Sequence, residues 1–164
     1  MVDLTVDHIT TRRGLEVVRE VVHHPGGAAV LPVLSNGDIL LVEQFRYPMQ
    51  RALLEIPAGK IDPGELPETT AARELEEEVG VQAGSLEKLS EFYTTPGFCN
   101  ERLHLYLAKE LRPCQGIPDE DEELSVHQYS VGQIDQMIRL GEIVDAKTII
   151  GVQFLLARCG HEIL

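Results

Sequence analysis

The sequence predicts an α+β fold built on a mixed β-sheet. Three observations carry that expectation. Strand-like runs dominate the middle of the chain, and helical patterns appear once mid-chain and twice at the end. No internal repeat, low-complexity tract or linker separates them. Elements in that order are best satisfied by helices packed on the faces of one sheet system. At 164 residues the chain is expected to form one domain, 1–164, large enough to bury most of its apolar surface without staples.

The elements follow in order. Residues 1–12 suit an edge strand or an arm. Leu15–Val22 is rich in β-branched residues and runs into a turn cluster, His23-His24-Pro25-Gly26-Gly27. Ala28–Leu34 and Asp38–Gln44 are strand-like and joined through Ser35-Asn36-Gly37, where Asn-Gly signals a hairpin. Leu53–Ile56 is a short strand feeding the loop Pro57-Ala58-Gly59. A helix is expected over 67–79. Pro67 occupies its first turn, where the missing N–H costs little, and Gly80 closes it as a residue free to take positive φ. Leu86–Tyr93 and Leu103–Ala108 are strands on either side of a turn at Thr94-Thr95-Pro96-Gly97. Residues 112–123 are a loop ending in the acidic run Asp119-Glu120-Asp121-Glu122-Glu123, and Leu124–Tyr129 is a strand. Two helices close the chain. One spans about 131–140, and one spans about 146–158, with Asp145 as N-cap and Gly160 as stop.

Composition narrows the function. Apolar residues make up 43% and charged residues 25%, as in ordinary soluble domains. A formal net charge of −13 argues against sequence-independent nucleic-acid binding, which draws its affinity from Lys and Arg at phosphates. A small phosphorylated substrate remains compatible if metal ions and a few arginines reverse the field locally. Cys99, Cys114 and Cys159 show no CxxC spacing, so neither a disulfide framework nor a zinc site is expected. The N-terminus lacks the pattern of a signal peptide, and the longest apolar run, around 149–157, is too short to span a bilayer. A cytoplasmic setting with no membrane partner is the expectation.

The chemistry concentrates in the helix at 67–79. Ala71, Ala72, Leu75 and Val79 recur at helical spacing and form one face. Glu74, Glu77 and Glu78 stand at i, i+3 and i+4, and therefore share another. Side-by-side carboxylates repel, costing a few tenths of a kcal/mol per pair in an isolated helix. A multivalent cation offsets that repulsion. Mg²⁺ is the natural candidate, because it takes carboxylate and substrate phosphate oxygens and keeps several waters. The bland alternative is a solvated acidic face.

The surrounding residues decide between the two. Gly59, Glu65, Arg73-Glu74-Leu75, Glu77-Glu78 and Gly80-Val81 resemble the complete Nudix box, G-x5-E-x7-R-E-U-x-E-E-x-G-U, where U is a bulky aliphatic. All nine specified positions match across 23 residues. That is far more specific than a lone glycine motif. The resemblance implies an α/β/α sandwich and divalent-metal hydrolysis of a diphosphate joined to a further group. It makes Glu74, Glu77 and Glu78 metal ligands, with Glu77 and Glu78 central to catalysis, and adds the carbonyl of Ala58. It pairs Arg73 with Glu65 to hold loop against helix. Glu76, the variable position, is left as a solvated residue.

Outside the box, Pro96 lies 16 residues after Gly80, similar to its placement in the ADP-ribose pyrophosphatase branch. Arg19-Glu20, His24-Pro25-Gly26, Val42-Glu43-Gln44-Phe45-Arg46-Tyr47, Glu55-Ile56-Pro57-Ala58-Gly59-Lys60 and Asp145-Ala146-Lys147-Thr148 resemble segments of the same branch. By that resemblance Arg46 contacts the diphosphate, as suits a permanently charged guanidinium. Arg19 and Glu20 reach the adenosine end across a homodimer interface formed by exchanged N-terminal strands, within residues 1–25. Gly97 is counted among the substrate-binding residues, and Glu101, after the proline turn, hydrogen-bonds the terminal ribose. Glu120, with Glu122 as second choice, is the general base on the attacking water. Phe45, Tyr47 and Phe98 are candidates for base stacking or, more commonly, core packing. His23, His24, His104 and His127 read as structural.

The expected activity is hydrolysis of ADP-ribose to AMP and ribose 5-phosphate with Mg²⁺, or Mn²⁺ in its place. The competing expectations are another nucleoside diphosphate substrate such as GDP-mannose or NADH, a non-catalytic ADP-ribose sensor, and a purely acidic interaction module.

Overall fold

The computed structural model describes residues 3–116 and 124–161. Two sheets and three helices make up the frame. One sheet has the order β6-β3-β9-β8, built from Ala58–Lys60 (β6), Gly27–Pro32 (β3), Arg102–Lys109 (β9) and Ser85–Tyr93 (β8). The other, β11-β4-β5, comprises Leu124–Tyr129 (β11), Ile39–Arg46 (β4) and Arg51–Glu55 (β5). The pairing of β3 with β9 is parallel and the others are antiparallel. The sheet system is therefore mixed, as expected.

Burial explains why β3 is apolar throughout. Its alternate residues face opposite ways: Ala28 and Val30 pack on helix α1 (Pro67–Val79), beside Ala71, Leu75, Tyr106 and Ala108. Ala29 and Leu31 face a second cluster containing Ile56, Leu105, Ile134 and Val152. The last two come from α2 (Val131–Leu140) and α3 (Ala146–His161). A strand covered on both faces cannot alternate apolar with polar. The result is an α/β/α sandwich.

Helix ends follow local chemistry. Pro67 stands in the first turn of α1, and Gly80 closes it at φ 73°. Ser130 and Gln133 form a reciprocal capping box at α2, which satisfies two N–H groups left without helical partners. Asp145 caps α3 as expected, its Oδ2 accepting from the Thr148 N–H at 2.9 Å.

Four expectations are corrected. Asn36-Gly37 does form a turn, with Gly37 at φ 88° and the Leu34 N–H donating to the Asp38 carbonyl at 2.8 Å across it, but Val33 and Ile39 make no more than an isolated bridge. The flanking strands part into separate sheets, because each is buried between other partners. Helix α3 runs through Gly160 to His161; glycine lowers helix propensity by only about 1 kcal/mol and stops a helix only where the chain turns away. Phe45, Tyr47 and Phe98 are exposed, not core residues, since they sit at strand ends and turns beyond the sheet interior. Glu76 is half-buried rather than freely solvated, because the chain at Gly116 packs against its backbone. The very short strands β6, Val81–Gln82 (β7) and Arg112–Pro113 (β10) carry too few residues for a periodic signal.

Asp3–Thr10 (β1) and Glu16–His23 (β2) pair only with each other, as a two-stranded antiparallel ribbon. A single parallel bridge from Val22 to Cys99 ties the ribbon to the body.

Candidate active site

The acidic face of α1 is not solvated. Glu74 and Glu78 are buried against the β5–β6 connection, where the Ala58 N–H donates to Glu78 Oε2 at 3.1 Å. Glu74 lies so close to Gly59 that a methyl group there would stand 1.8 Å from its Oε1. The box glycine is therefore a matter of space, not of φ.

Arg73 ties the cluster together. Its Nη1 donates to Glu74 Oε1 and to Glu77 Oε2, both at 2.8 Å, and its Nε to Glu65 Oε1 at 3.2 Å. The expected Arg73–Glu65 pair is present, and the same guanidinium also balances two of the three helix carboxylates. Hydrogen bonds from Arg73, then from Thr70, hold the Glu65 carboxyl below the usual carboxylate range. The same contact with Glu65, ahead of Glu77, raises the Arg73 pKa further.

The residues fit a divalent cation. Glu74, Glu77 and Glu78 offer hard oxygen donors on one face of one helix, and the Ala58 backbone lies against Glu78, the chemistry Mg²⁺ and Mn²⁺ prefer. Among the described residues, no three such groups are already gathered into a metal-binding cluster. Arg73 and the Ala58 N–H hold the carboxylates in this arrangement.

A cleft of about 290 Å³ opens beside the cluster, lined in part by Ala58, Gly59, Lys60, Arg46, Glu101 and Lys147. The sequence-predicted Ala58, Arg46 and Glu101 thus come together on one wall system. Arg46 forms a bidentate pair with Glu55, Nε to Oε1 and Nη2 to Oε2, each 2.8 Å, and that bond raises its pKa. Glu55 is 2% exposed. Burial pushes its carboxyl upward, but hydrogen bonds and charge from Arg46 and Lys147 bring it below the ordinary value. Lys147 also reaches Asp145 Oδ1 at 3.1 Å. Glu101 accepts from Thr94 Oγ1 at 2.5 Å and stands 3.4 Å from His24 Nδ1.

Other predicted residues lie apart. Gly97 borders a second cavity of about 310 Å³ with Tyr93, Pro96 and Phe98. Arg19 and Glu20 sit exposed on β2, opposite Asp7 and Val6, and line neither cavity. Glu120 and Glu122 lie outside the described residues.

Glu55 and Lys147 have no role in the sequence expectation, and His24, expected to be structural, lines the cleft. One signal was available: a carboxylate at the end of the apolar run Leu53-Leu54-Glu55-Ile56 is expensive to bury unless paired.

An α/β/α frame presenting a buried glutamate cluster beside a cation-walled cleft has clear relatives. Residues 23–149 match the model of the NUDIX domain. The chain is 43% identical over 157 residues to an ADP-ribose pyrophosphatase of Bacillus subtilis, covering 94% of this chain and 85% of that protein. It is 41% identical to a methanol dehydrogenase activator of Bacillus methanolicus over the same shares. Against an ADP-ribose pyrophosphatase of Mycobacterium tuberculosis it is 40% identical, covering 89% of this chain and 72% of the other. A solved structure described as an ADP compounds hydrolase superposes with a TM-score of 0.85 at 20% identity, covering 99% of this chain and 93% of the other, a likeness of fold. The chain belongs to the Nudix family, as a Nudix hydrolase.

Proposed function

We propose that the protein hydrolyses the diphosphate bond of ADP-ribose, giving AMP and ribose 5-phosphate, with Mg²⁺ or Mn²⁺ as cofactor. The observation that carries this reading is the packing of Glu74 and Glu78 against Gly59 and Ala58 at the edge of the Arg46 cleft. The names of the relatives from B. subtilis and M. tuberculosis support the choice of substrate.

A diphosphate resists hydrolysis because its charge repels a nucleophile, so catalysis is mainly positioning and charge neutralisation. A divalent metal, when bound, would supply positive charge to phosphate oxygens and Lewis acidity for water activation. Glu74, Glu77, Glu78 and the Ala58 carbonyl would hold it. Arg46 binds and orients the diphosphate, with Glu101 and Gly97 toward the ribose. Glu120 is proposed as the base, with Glu122 second, reaching its water when substrate is bound.

The working unit in this reading is a cytoplasmic homodimer joined through residues 1–25, which would bring Arg19 and Glu20 to a partner's substrate. Leu4, Val6 and Val18 are exposed on one face of the β1–β2 ribbon, and apolar side chains left open on a strand pair are available for association. No described helix is long and apolar enough to cross a membrane, and the −13 net charge disfavours nucleic acid as a partner.

Product release decides the matter. AMP and ribose 5-phosphate are measured from ADP-ribose at millimolar Mg²⁺, beside GDP-mannose and NADH. ADP-ribose leading the panel, with turnover abolished by chelation, supports the reading. A different leading substrate replaces ADP-ribose and leaves the metal role intact. Binding of ADP-ribose without turnover of any substrate would establish a sensor.

A further inference from the structure

Two cations on the cleft wall share one buried carboxylate. Glu55 is 2% exposed, receives two 2.8 Å bonds from Arg46 and accepts a further one from Lys147. Lys147 is 14% exposed at its side chain and completes a second pair with Asp145, the residue that caps α3. Thr148, next in sequence, donates to Asp145 at 2.6 Å and accepts from the buried Ile56 N–H at 2.8 Å. The base of α3 is thereby fastened to the end of β5, and Lys147 is fixed in place.

Stability alone is a poor reason for this arrangement. Burying a carboxylate with two cations costs several kcal/mol of desolvation, and apolar side chains of similar volume often do as well. What apolar side chains cannot do is present positive charge to a cleft. Both Arg46 and Lys147 line it. A guanidinium carries five N–H donors and an ammonium three. Arg46 uses its Nε and Nη2 on Glu55, and among the described residues none takes its Nη1, the end that can meet an anion. Lys147 places two donors on Glu55 and Asp145, and among the described residues none takes its third.

We propose that Lys147 is a second diphosphate-binding residue beside Arg46, and that Glu55 is the positioning residue that holds both cations at the cleft wall. This rests on the reading of the cleft as a nucleoside diphosphate site, and it adds to that reading the pair of residues that sets the anion's place. Arg46 comes from the end of β4 and Lys147 from the first turn of α3, and Glu55 is the carboxylate that both contact.

The test separates this inference from the activity by using inorganic pyrophosphate as the probe. Its dissociation constant is measured by calorimetry at fixed Mg²⁺ for the wild type, Lys147→Met, Lys147→Arg and Glu55→Gln, with a thermal melt of each. Losing a charge-assisted hydrogen bond is expected to weaken pyrophosphate binding about tenfold or more in Lys147→Met, with Lys147→Arg recovering part of it. Glu55→Gln gives the sharper reading. Coulomb attraction alone predicts tighter anion binding once a neighbouring negative charge is removed, whereas positioning predicts weaker binding. A purely structural role predicts a lower melting temperature with an unchanged dissociation constant. Unchanged binding in Lys147→Met, tighter binding in Glu55→Gln, or no pyrophosphate binding by the wild type overturns the inference, whatever ADP-ribose turnover shows. Weakened binding in both variants with no ADP-ribose turnover keeps it and removes the substrate assignment instead.

Discussion

Glu74 lies directly over Gly59, with its Oε1 occupying the space a Cβ would need. The contact joins strand β6 to the middle of the helix, and it sets where the first carboxylate of the cluster stands. Gly59→Ala therefore has to displace either the β6 backbone or the Glu74 side chain. A fall in kcat of at least about 100-fold is expected, with a folded protein by circular dichroism, since a misplacement of about 1 Å at a reacting centre costs on that order. Wild-type turnover would show that Glu74 is not needed where it sits.

Glu78→Gln keeps the shape of the side chain and an oxygen for the Ala58 N–H, but removes the charge. Turnover is expected to fall by orders of magnitude while the melting temperature without metal changes by only a few degrees. In the wild type, millimolar Mg²⁺ should raise the melting temperature through binding to the folded state alone, and the variant should lose most of that rise. Near-wild-type turnover in Glu78→Gln would remove it from the metal ligands.

Acid should weaken the fold through the Arg73 cluster. The folded-state pKa of Glu65 is lowered, chiefly by Arg73, so its contribution is present above the ordinary carboxylate pKa of about 4.3. That contribution is lost as pH falls through the lower folded value. Arg73→Met removes the cause. Melting temperature followed from pH 7 down to about pH 3 should fall less steeply in the variant than in the wild type over the acid limb. Parallel curves would mean that Arg73 does not set the Glu65 pKa.

Gly116 meets the C-terminal turn of α1 at the Glu76 carbonyl, where an added Cβ would lie 1.7 Å from the oxygen. That atom is backbone and cannot swing aside. Gly116→Ala should cost about 1–3 kcal/mol of stability, the usual penalty for overpacking, read as a lower midpoint in urea. An unchanged midpoint would show that the 114–116 segment shifts freely.

Much of this protein was legible in its sequence because the signals are local. Pro67 and Gly80 mark the ends of a helix through backbone properties that need no partner. The spacing of Glu74, Glu77 and Glu78 puts them on one face by helix geometry alone. Nine box positions in 23 residues identify the family without any three-dimensional information.

Tertiary structure decided the rest, because the remaining properties depend on contacts between distant segments. Asn36-Gly37 specifies a turn, but one partner of β3 and one of β4 are 70 or more residues away, in β9 and β11, and with β6 and β5 on their other edges the hairpin is split between two sheets. A lone glutamate at the end of an apolar strand reads as an anomaly until Arg46 and Lys147 close on it from either side. Gly59 looks like a loop glycine until Glu74 is placed above it. The sequence by itself determined the local elements and the chemical type of the site. The approach of distant side chains, governed by packing and by the cost of leaving a buried charge unpaired, decided which residues share the cleft.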